Sequence, residues 1–191
     1  MLLVGLSFVA IPVVNAEERA VDVDYATIDA FLSTTRGTTH GYTSSWDRGG
    51  KTDNPPNGVS TYSTSTGYLM ADSTKQAYAE AWLNSANVKA TQAVTSVTVT
   101  LFFSNFGGWN AGGYEDITIK FYKNGYYVSE KSTSSGTVTY CSSYAQCTFS
   151  SSISYNDSLD VDIIFSAYSA SAYGGTVHIE ANIDYVSFTT D

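Results

Sequence analysis

Residues 159–165 read LDVDIIF, and their odd positions are apolar while positions 160 and 162 are aspartates. A period of two places successive side chains on opposite faces of a β-strand, so this segment has one face to bury and one polar face. The same period recurs at residues 97–103, 117–122 and 177–183. Such segments are typical of antiparallel strands with one face on a core and the other in water.

Turn-forming residues separate the alternating segments. Asn124-Gly125 predicts a two-residue hairpin, because both residues tolerate a positive φ. Asn156-Asp157 predicts a second turn between two further segments.

The weaker segments bring the total to about ten or eleven strands in one domain. Residues 77–88 have some helix propensity, but the alternation over residues 77–83 favours a strand. The apolar positions change from odd to even near Asp184-Tyr185, which predicts a β-bulge. A single open sheet of this length would leave large apolar faces in water. We therefore predict an all-β fold, a β-sandwich of the jelly-roll type.

The chain divides into four parts on this interpretation. Residues 33–58 are Gly-rich, contain prolines and lack a period, so they are predicted to be a surface loop or a linker. An alternating N-terminal strand at residues 17–32 precedes them, and the β-sandwich is predicted over residues 59–191.

Residues 1–16, MLLVGLSFVAIPVVNA, form an apolar run that is too short for a comfortable membrane span. Val14 and Ala16 place small residues at positions −3 and −1 of a signal-peptidase site. No Lys or Arg precedes the run, so a retained hydrophobic N-terminus is the alternative. We predict a cleaved signal peptide, an extracellular or cell-surface location, and no membrane span in the mature chain.

The charge of the chain excludes two classes of partner. The 191 residues include 9 Lys and Arg against 18 Asp and Glu, a formal net charge of −9 at pH 7. Binding to nucleic acid or to an anionic membrane surface requires clusters of Lys and Arg, and the sequence has none. Because 43% of the residues are hydrophobic, the chain can still build a core.

Cys141 and Cys147 are the only cysteines, in the segment CSSYAQC between two strand-like runs. A hairpin would bring them within bridging distance, so we predict a disulfide in an oxidising compartment. A free, redox-active pair is the alternative. The spacing does not fit zinc, because no second Cys pair or His pair accompanies it.

No motif of a known catalytic site is present, and we predict that the protein is not an enzyme. His40 and His178 are the only histidines, and neither has the sequence context of a metalloprotease or of an activated nucleophile. Asp160 and Asp162 share one strand face, where two carboxylates would suit a glycosidase. A solvated strand face is the simpler explanation for them.

No cofactor is expected, although a structural calcium ion is an open alternative. Asp22, Asp24 and Asp184 offer hard oxygen ligands near loops or termini, without the spacing of an EF-hand. Asn156 begins the only Asn-x-Ser/Thr sequon, in a predicted turn, and is the candidate site of glycan attachment in an exported protein.

Aromatic residues in or beside Gly- and Ser-rich loops are the remaining candidates for binding. They are Trp46, Trp109 and Tyr173, with Tyr42, Tyr114 and Tyr168 in similar positions. Loop aromatics can stack on sugar rings or anchor a protein contact. The alternative is that they cap the ends of the sandwich core.

A leader, an alternating segment AVDVDY at residues 20–25, a polar stretch and a Ser/Thr/Tyr-rich jelly roll follow one another in this chain. This order resembles extracellular filament subunits of archaea and bacteria, of the bundling-pilus and TasA-type biofilm-matrix kind. The resemblance implies that Val21, Val23 and Tyr25 belong to a strand donated to the sheet of a neighbouring copy. The expected function is then a secreted homopolymer for adhesion or biofilm, assembled by donor-strand complementation.

The closing run at residues 182–188, NIDYVSF, resembles the last strand of carbohydrate-binding jelly rolls. This resemblance implies an alternative function, that of a secreted carbohydrate-binding module with a saccharide as its partner.

Overall fold

The computed structural model describes residues 39–190, and this part of the chain contains thirteen β-strands. In chain order they are β1 (Thr39–Thr43), β2 (Trp46–Thr52), β3 (Gly58–Ser63), β4 (Tyr68–Thr74), β5 (Tyr78–Ser85), β6 (Val88–Lys89), β7 (Val94–Asn110), β8 (Gly113–Lys123), β9 (Tyr126–Ser132), β10 (Thr139–Tyr140), β11 (Tyr144–Ile153), β12 (Ser158–Ser169) and β13 (Thr176–Thr189). Within residues 39–190, no helix has the length and apolarity needed to cross a membrane.

The strands pair into two antiparallel sheets. Sheet A has the order β10-β11-β7-β13-β4-β3, with β1 paired to the end of β13. Sheet B has the order β2-β5-β12-β8-β9, with β6 paired to the start of β12. Eight of these strands have the jelly-roll order, β4-β13-β7-β11 in one sheet and β5-β12-β8-β9 in the other. The predicted all-β jelly-roll sandwich is therefore confirmed.

The core lies between the two sheets and follows the alternation seen in the sequence. In β12 the odd positions of residues 159–165 are fully buried. Phe121 of sheet B stacks on Phe149 of sheet A with ring centroids 5.1 Å apart, so the two inner faces interlock. Each such side chain stabilises the fold by about 1.5–3 kcal/mol through its removal from water.

Two local predictions are also confirmed. Asn124 and Gly125 join β8 to β9 with φ values of 54° and 78°, the positive values that a tight hairpin requires. The β13–β7 ladder shifts register between Ile183 and Tyr185, where the change of apolar positions predicted a bulge.

The predicted loop or linker at residues 33–58 is wrong for residues 39–52, which form β1 and β2, so the sandwich begins before residue 59. β2 is an edge strand whose two central residues are glycines. A Cβ atom at Gly49 would lie 2.5 Å from the Tyr62 ring, and one at Gly50 would lie 2.6 Å from the Trp82 ring. Because glycines stand where large neighbours leave no room for side chains, this strand shows no alternation in the sequence.

Residues 1–38 lie outside the described part of the chain, as does Asp191. The predicted signal peptide at residues 1–16 and the N-terminal strand at residues 17–32 therefore stay predictions. The same holds for the side chains proposed within that strand, which are Val21, Asp22, Val23, Asp24 and Tyr25.

Candidate functional site

A groove of about 220 Å³ lies on the outer face of sheet B. Four strands contribute to it, because β5, β12, β8 and β9 are consecutive neighbours in the sheet. Its lining residues are Tyr78, Glu80, Tyr114, Asp116, Thr118, Lys120, Glu130, Ile164 and Ser166. The walls therefore combine aromatic rings, hydroxyl groups and charged side chains over a partly apolar floor.

The register of three strands aligns three tyrosines at one end of the groove. Tyr168 of β12 lies opposite Tyr78 of β5 on one side and opposite Tyr114 of β8 on the other. The ring centroids of Tyr114 and Tyr168 are 5.3 Å apart, and Tyr114 is 48% exposed. This tyrosine row presents accessible ring surface beside the groove.

The next row across the same strands is polar. Ser166 of β12 lies opposite Glu80 of β5 and Asp116 of β8. The Tyr78 hydroxyl donates a hydrogen bond to Glu80 Oε2 and approaches Ser166 Oγ at 3.5 Å. Burial, followed by the hydrogen bond to Glu80, raises the pKa of Tyr78 to about 12. The Tyr78 hydroxyl therefore stays a hydrogen-bond donor at any physiological pH.

The Asp116 carboxylate holds the turn that follows β9. Its Oδ1 accepts hydrogen bonds from Thr133 Oγ1 at 2.6 Å and from the Ser134 backbone N–H at 2.8 Å. Its Oδ2 accepts one from Thr118 Oγ1 at 3.0 Å. Both oxygens are engaged within the protein, so Asp116 shapes the groove wall.

Lys120 is the one cationic residue that lines the groove. It lies opposite Glu130 in the β8–β9 ladder, with 3.9 Å between Nζ and the Glu130 Oε2. On its other side Lys120 lies opposite Asp162 of β12. Lys120 therefore lies between the strand neighbours Glu130 and Asp162, which both carry carboxylates.

A second polar cluster on the same face is centred on Asn84. The Asn84 Nδ2 donates to Asp160 Oδ2 at 3.2 Å and to Asp162 Oδ1 at 2.9 Å. The Tyr122 hydroxyl donates to Asp162 Oδ2 at 2.7 Å. Burial raises the pKa of Asp160, and the hydrogen bond from Asn84 opposes that shift. The two aspartates share a face as predicted, and each accepts hydrogen bonds from neighbouring side chains.

The three aromatic residues predicted to stack on a ligand lie in different places. Trp46 is partly buried against the core, as the capping alternative predicted. Trp109 is 51% exposed on sheet A, where it stacks on His178 with ring centroids 4.0 Å apart. Tyr173 is fully exposed in the loop before β13.

The loop context in the sequence predicted Tyr114 and Tyr168 as candidates but not Tyr78, the third member of the tyrosine row. Tyr78 begins a strand and has no loop context in the sequence. Only the register of β5 against β12 reveals that it is beside Tyr168.

The predicted disulfide is not present in the structure, where Cys141 is an exposed free thiol and Cys147 a buried one. The Cys141 backbone N–H donates to the Tyr144 carbonyl, so Cys141 faces residue 144 across the hairpin. Cys147 is three residues further along β11, about 10 Å away at the rise of a strand. Its side chain also points into the core, away from the exposed turn.

The remaining site candidates are separate from the groove. Asn156 is exposed in a turn with φ of 69°, which leaves the sequon accessible. Asp184 accepts a hydrogen bond from Ser104 Oγ at 2.6 Å, and burial raises its pKa. Among residues 39–190, no group of three His, Cys, Asp or Glu side chains is arranged to hold a metal ion.

The two histidines occupy structural positions. His40 is buried, and its Nδ1 accepts a hydrogen bond from the Thr91 backbone N–H at 3.1 Å. Burial lowers the pKa of His40. His178 lies between two carboxylates, with Nδ1 3.4 Å from Asp72 Oδ2 and Nε2 3.6 Å from Glu180 Oε1.

No protein-family model and no curated protein matches the chain. Among solved structures, the chain is similar to TmCBM61 in complex with beta-1,4-galactotriose, with 10% sequence identity and a TM-score of 0.36. The match covers 77% of this chain and 92% of that chain. At this level of identity, a function has to be argued from the site itself.

Proposed function

We propose that this protein is a carbohydrate-binding module that holds a saccharide in the groove on the outer face of sheet B. The observation that carries the proposal is the tyrosine row beside a row of carboxylate and hydroxyl groups, on three adjacent strands. A pyranose ring has an apolar face of C–H groups and a rim of hydroxyl groups. The tyrosine rings can cover the apolar face, and the polar row can form hydrogen bonds with the hydroxyl groups.

Several features of the groove support binding over a merely solvated strand face. Tyr114 leaves about half of its surface accessible, and Tyr168 packs against it in the same row, so ring surface is available beside the polar groups. The groove of about 220 Å³ can hold part of a saccharide chain and is open along one side. All of its lining side chains except Glu130 stand on the central strands β5, β12 and β8, so they are held in place before a ligand arrives.

The experiment is a calorimetric titration of the folded protein with soluble oligosaccharides. We expect saturable binding that Tyr114→Ala reduces by about tenfold or more, since stacked aromatic residues dominate such contacts. The matched control is Tyr126→Ala, which removes a 78% exposed tyrosine at the start of β9, outside the groove lining. Equal loss in both variants, or no binding to any saccharide, would contradict the proposal.

The filament function stays a prediction, because the proposed donor strand at residues 17–32 is outside the described part of the chain. The described residues already supply all eight strands of a jelly roll. A donated strand would therefore have to extend an edge of one sheet, such as β3 or β9, and would not fill a gap in the middle of the sandwich. The extracellular location is likewise a prediction from the sequence.

A further inference from the structure

We propose that the sheet B groove selects saccharides that carry a free amine, such as glucosamine oligomers, over neutral and acidic ones. This inference rests on the proposed function. It depends on one residue above all, the half-buried Glu80 on the β5 side of the groove.

The groove contains three carboxylates against one ammonium group. Glu80, Asp116 and Glu130 carry negative charge, and Lys120 is the cation among the lining residues. Lys120 is close to Glu130 and opposite Asp162, so its charge is already balanced at the edge. The groove therefore keeps an excess of negative charge.

Glu80 has no cationic partner among residues 39–190. Its Oε2 accepts a hydrogen bond from the Tyr78 hydroxyl, and no ion pair joins either oxygen to Lys, Arg or His in that part of the chain. A half-buried carboxylate without a cationic partner is stabilised when an ammonium group approaches, because water screens the attraction less at such a site. Asp116 differs, since the wall of the groove satisfies both of its oxygens.

The tyrosine row adds a second preference for a positively charged ligand. An ammonium group near the face of a tyrosine ring is attracted by the ring quadrupole. Tyr78 brings a ring and a hydroxyl donor next to Glu80, and Tyr114 exposes a ring on the other side of Ser166. An amine on a stacked sugar ring would meet Glu80 and these rings together.

Acidic saccharides meet the opposite conditions. The groove repels a carboxylate or sulfate group, and the net charge of −9 on the whole chain adds a longer-range repulsion. Neutral saccharides keep the stacking contacts but leave Glu80 without a cation. The expected order of affinity is therefore amine-bearing first, neutral second and acidic last.

The test compares glucosamine, N-acetylglucosamine and galacturonic acid oligomers of equal length by calorimetry at low salt. For the unmodified protein, glucosamine oligomers should bind about tenfold more tightly than the acetylated ones, and added salt should reduce that ratio. Glu80→Gln should bring the ratio close to one, because the amide has no charge to attract the amine. Asp72→Asn is the matched control, because it removes the same charge from sheet A and should leave the ratio unchanged.

Each alternative outcome has a distinct meaning. Equal binding of the two oligomers, or a ratio that Glu80→Gln does not change, overturns the amine preference while the carbohydrate-binding proposal stands. A lysine tetrapeptide that competes as well as the glucosamine oligomer also overturns it, since charge without a sugar ring would then suffice. Failure of every saccharide to bind rejects both proposals.

Discussion

Gly50 lies directly opposite Trp82 in the ladder between β2 and β5, and the indole ring covers the backbone of the glycine. The Arg48 guanidinium lies 6.0 Å from the centre of the same indole ring. Trp82 thus has one neighbour that must be small and one that is cationic. The edge strand β2 and the face that carries the groove are joined through this contact.

Replacement of Gly50 by alanine should displace the Trp82 ring. The new Cβ would lie 2.6–2.7 Å from three atoms of the indole, which is closer than packed atoms tolerate. We expect a loss of about 1–3 kcal/mol in the free energy of unfolding, measured by urea denaturation, together with a change in tryptophan fluorescence. Gly108→Ala is the control, since its Cβ would have no neighbour closer than 3.6 Å. Equal destabilisation by the two variants would contradict this account.

The buried Asp160 should make the protein less stable as the pH rises through the range in which carboxyl groups ionise. Its pKa in the folded state is raised by burial, so the folded state binds its proton more tightly than the unfolded state does. Stability from this group is then greatest below the ordinary pKa of an aspartate and declines as the pH rises through the raised value. The free energy of unfolding of Asp160→Asn, measured by urea denaturation, should therefore rise relative to that of the unmodified protein when the pH is raised from 3 to 7.

Asp53 should have the opposite effect on stability. Its Oδ2 lies 2.8 Å from Lys51 Nζ, and its Oδ1 accepts a hydrogen bond from the Ser60 backbone N–H at 2.6 Å. These contacts lower the pKa of Asp53 in the folded state, so its contribution is present at neutral pH and declines as the pH falls through the lowered value. Asp53→Asn should therefore lose stability at pH 7 and little at pH 3. If the free energy of unfolding changed with pH in the same way for Asp160→Asn and Asp53→Asn, the opposite pKa shifts assigned to the two aspartates would be wrong.

The strands that pack on both sides of the core could be predicted because burial forces alternation on them. The segments at residues 97–103 and 159–165 show this period and become β7 and β12. β2 could not be predicted, because its central position 50 has to be a glycine under Trp82. Its sequence therefore has the composition of a loop although its backbone is paired.

The groove could not be predicted because it depends on register between strands that are distant in sequence. Tyr78, Tyr114 and Tyr168 become neighbours through the pairing of β5, β12 and β8, which no local pattern specifies. The same limit explains the cysteines. A shift of a few residues in the hairpin of Cys141 and Cys147 decides whether they can meet.

The two cysteines should differ in their reaction with an alkylating reagent. Burial raises the pKa of the Cys147 thiol to about 12, which keeps it protonated. The same burial shields the thiol from the reagent. A hydrogen bond from Ser143 lowers the pKa of the exposed Cys141 thiol, so its reactive thiolate forms more readily. Mass spectrometry after treatment with iodoacetamide at pH 8 should find one modified cysteine in the folded protein and two after denaturation. No modification of unreduced protein in urea would instead restore the predicted disulfide.

The prediction of a donated N-terminal strand can be tested with a fragment that begins at residue 37. Because residues 39–190 include every strand of the jelly roll, we expect this fragment to be a folded monomer by light scattering and circular dichroism. If residues 17–32 pair with a neighbouring copy, the longer chain that includes them should form polymers that the fragment cannot. Val23→Asp should then weaken assembly by placing a charge on the apolar face of the added strand, whereas Asp24→Asn, on the other face of the strand, should have little effect. A longer chain that stays monomeric at high concentration would rule out the filament function.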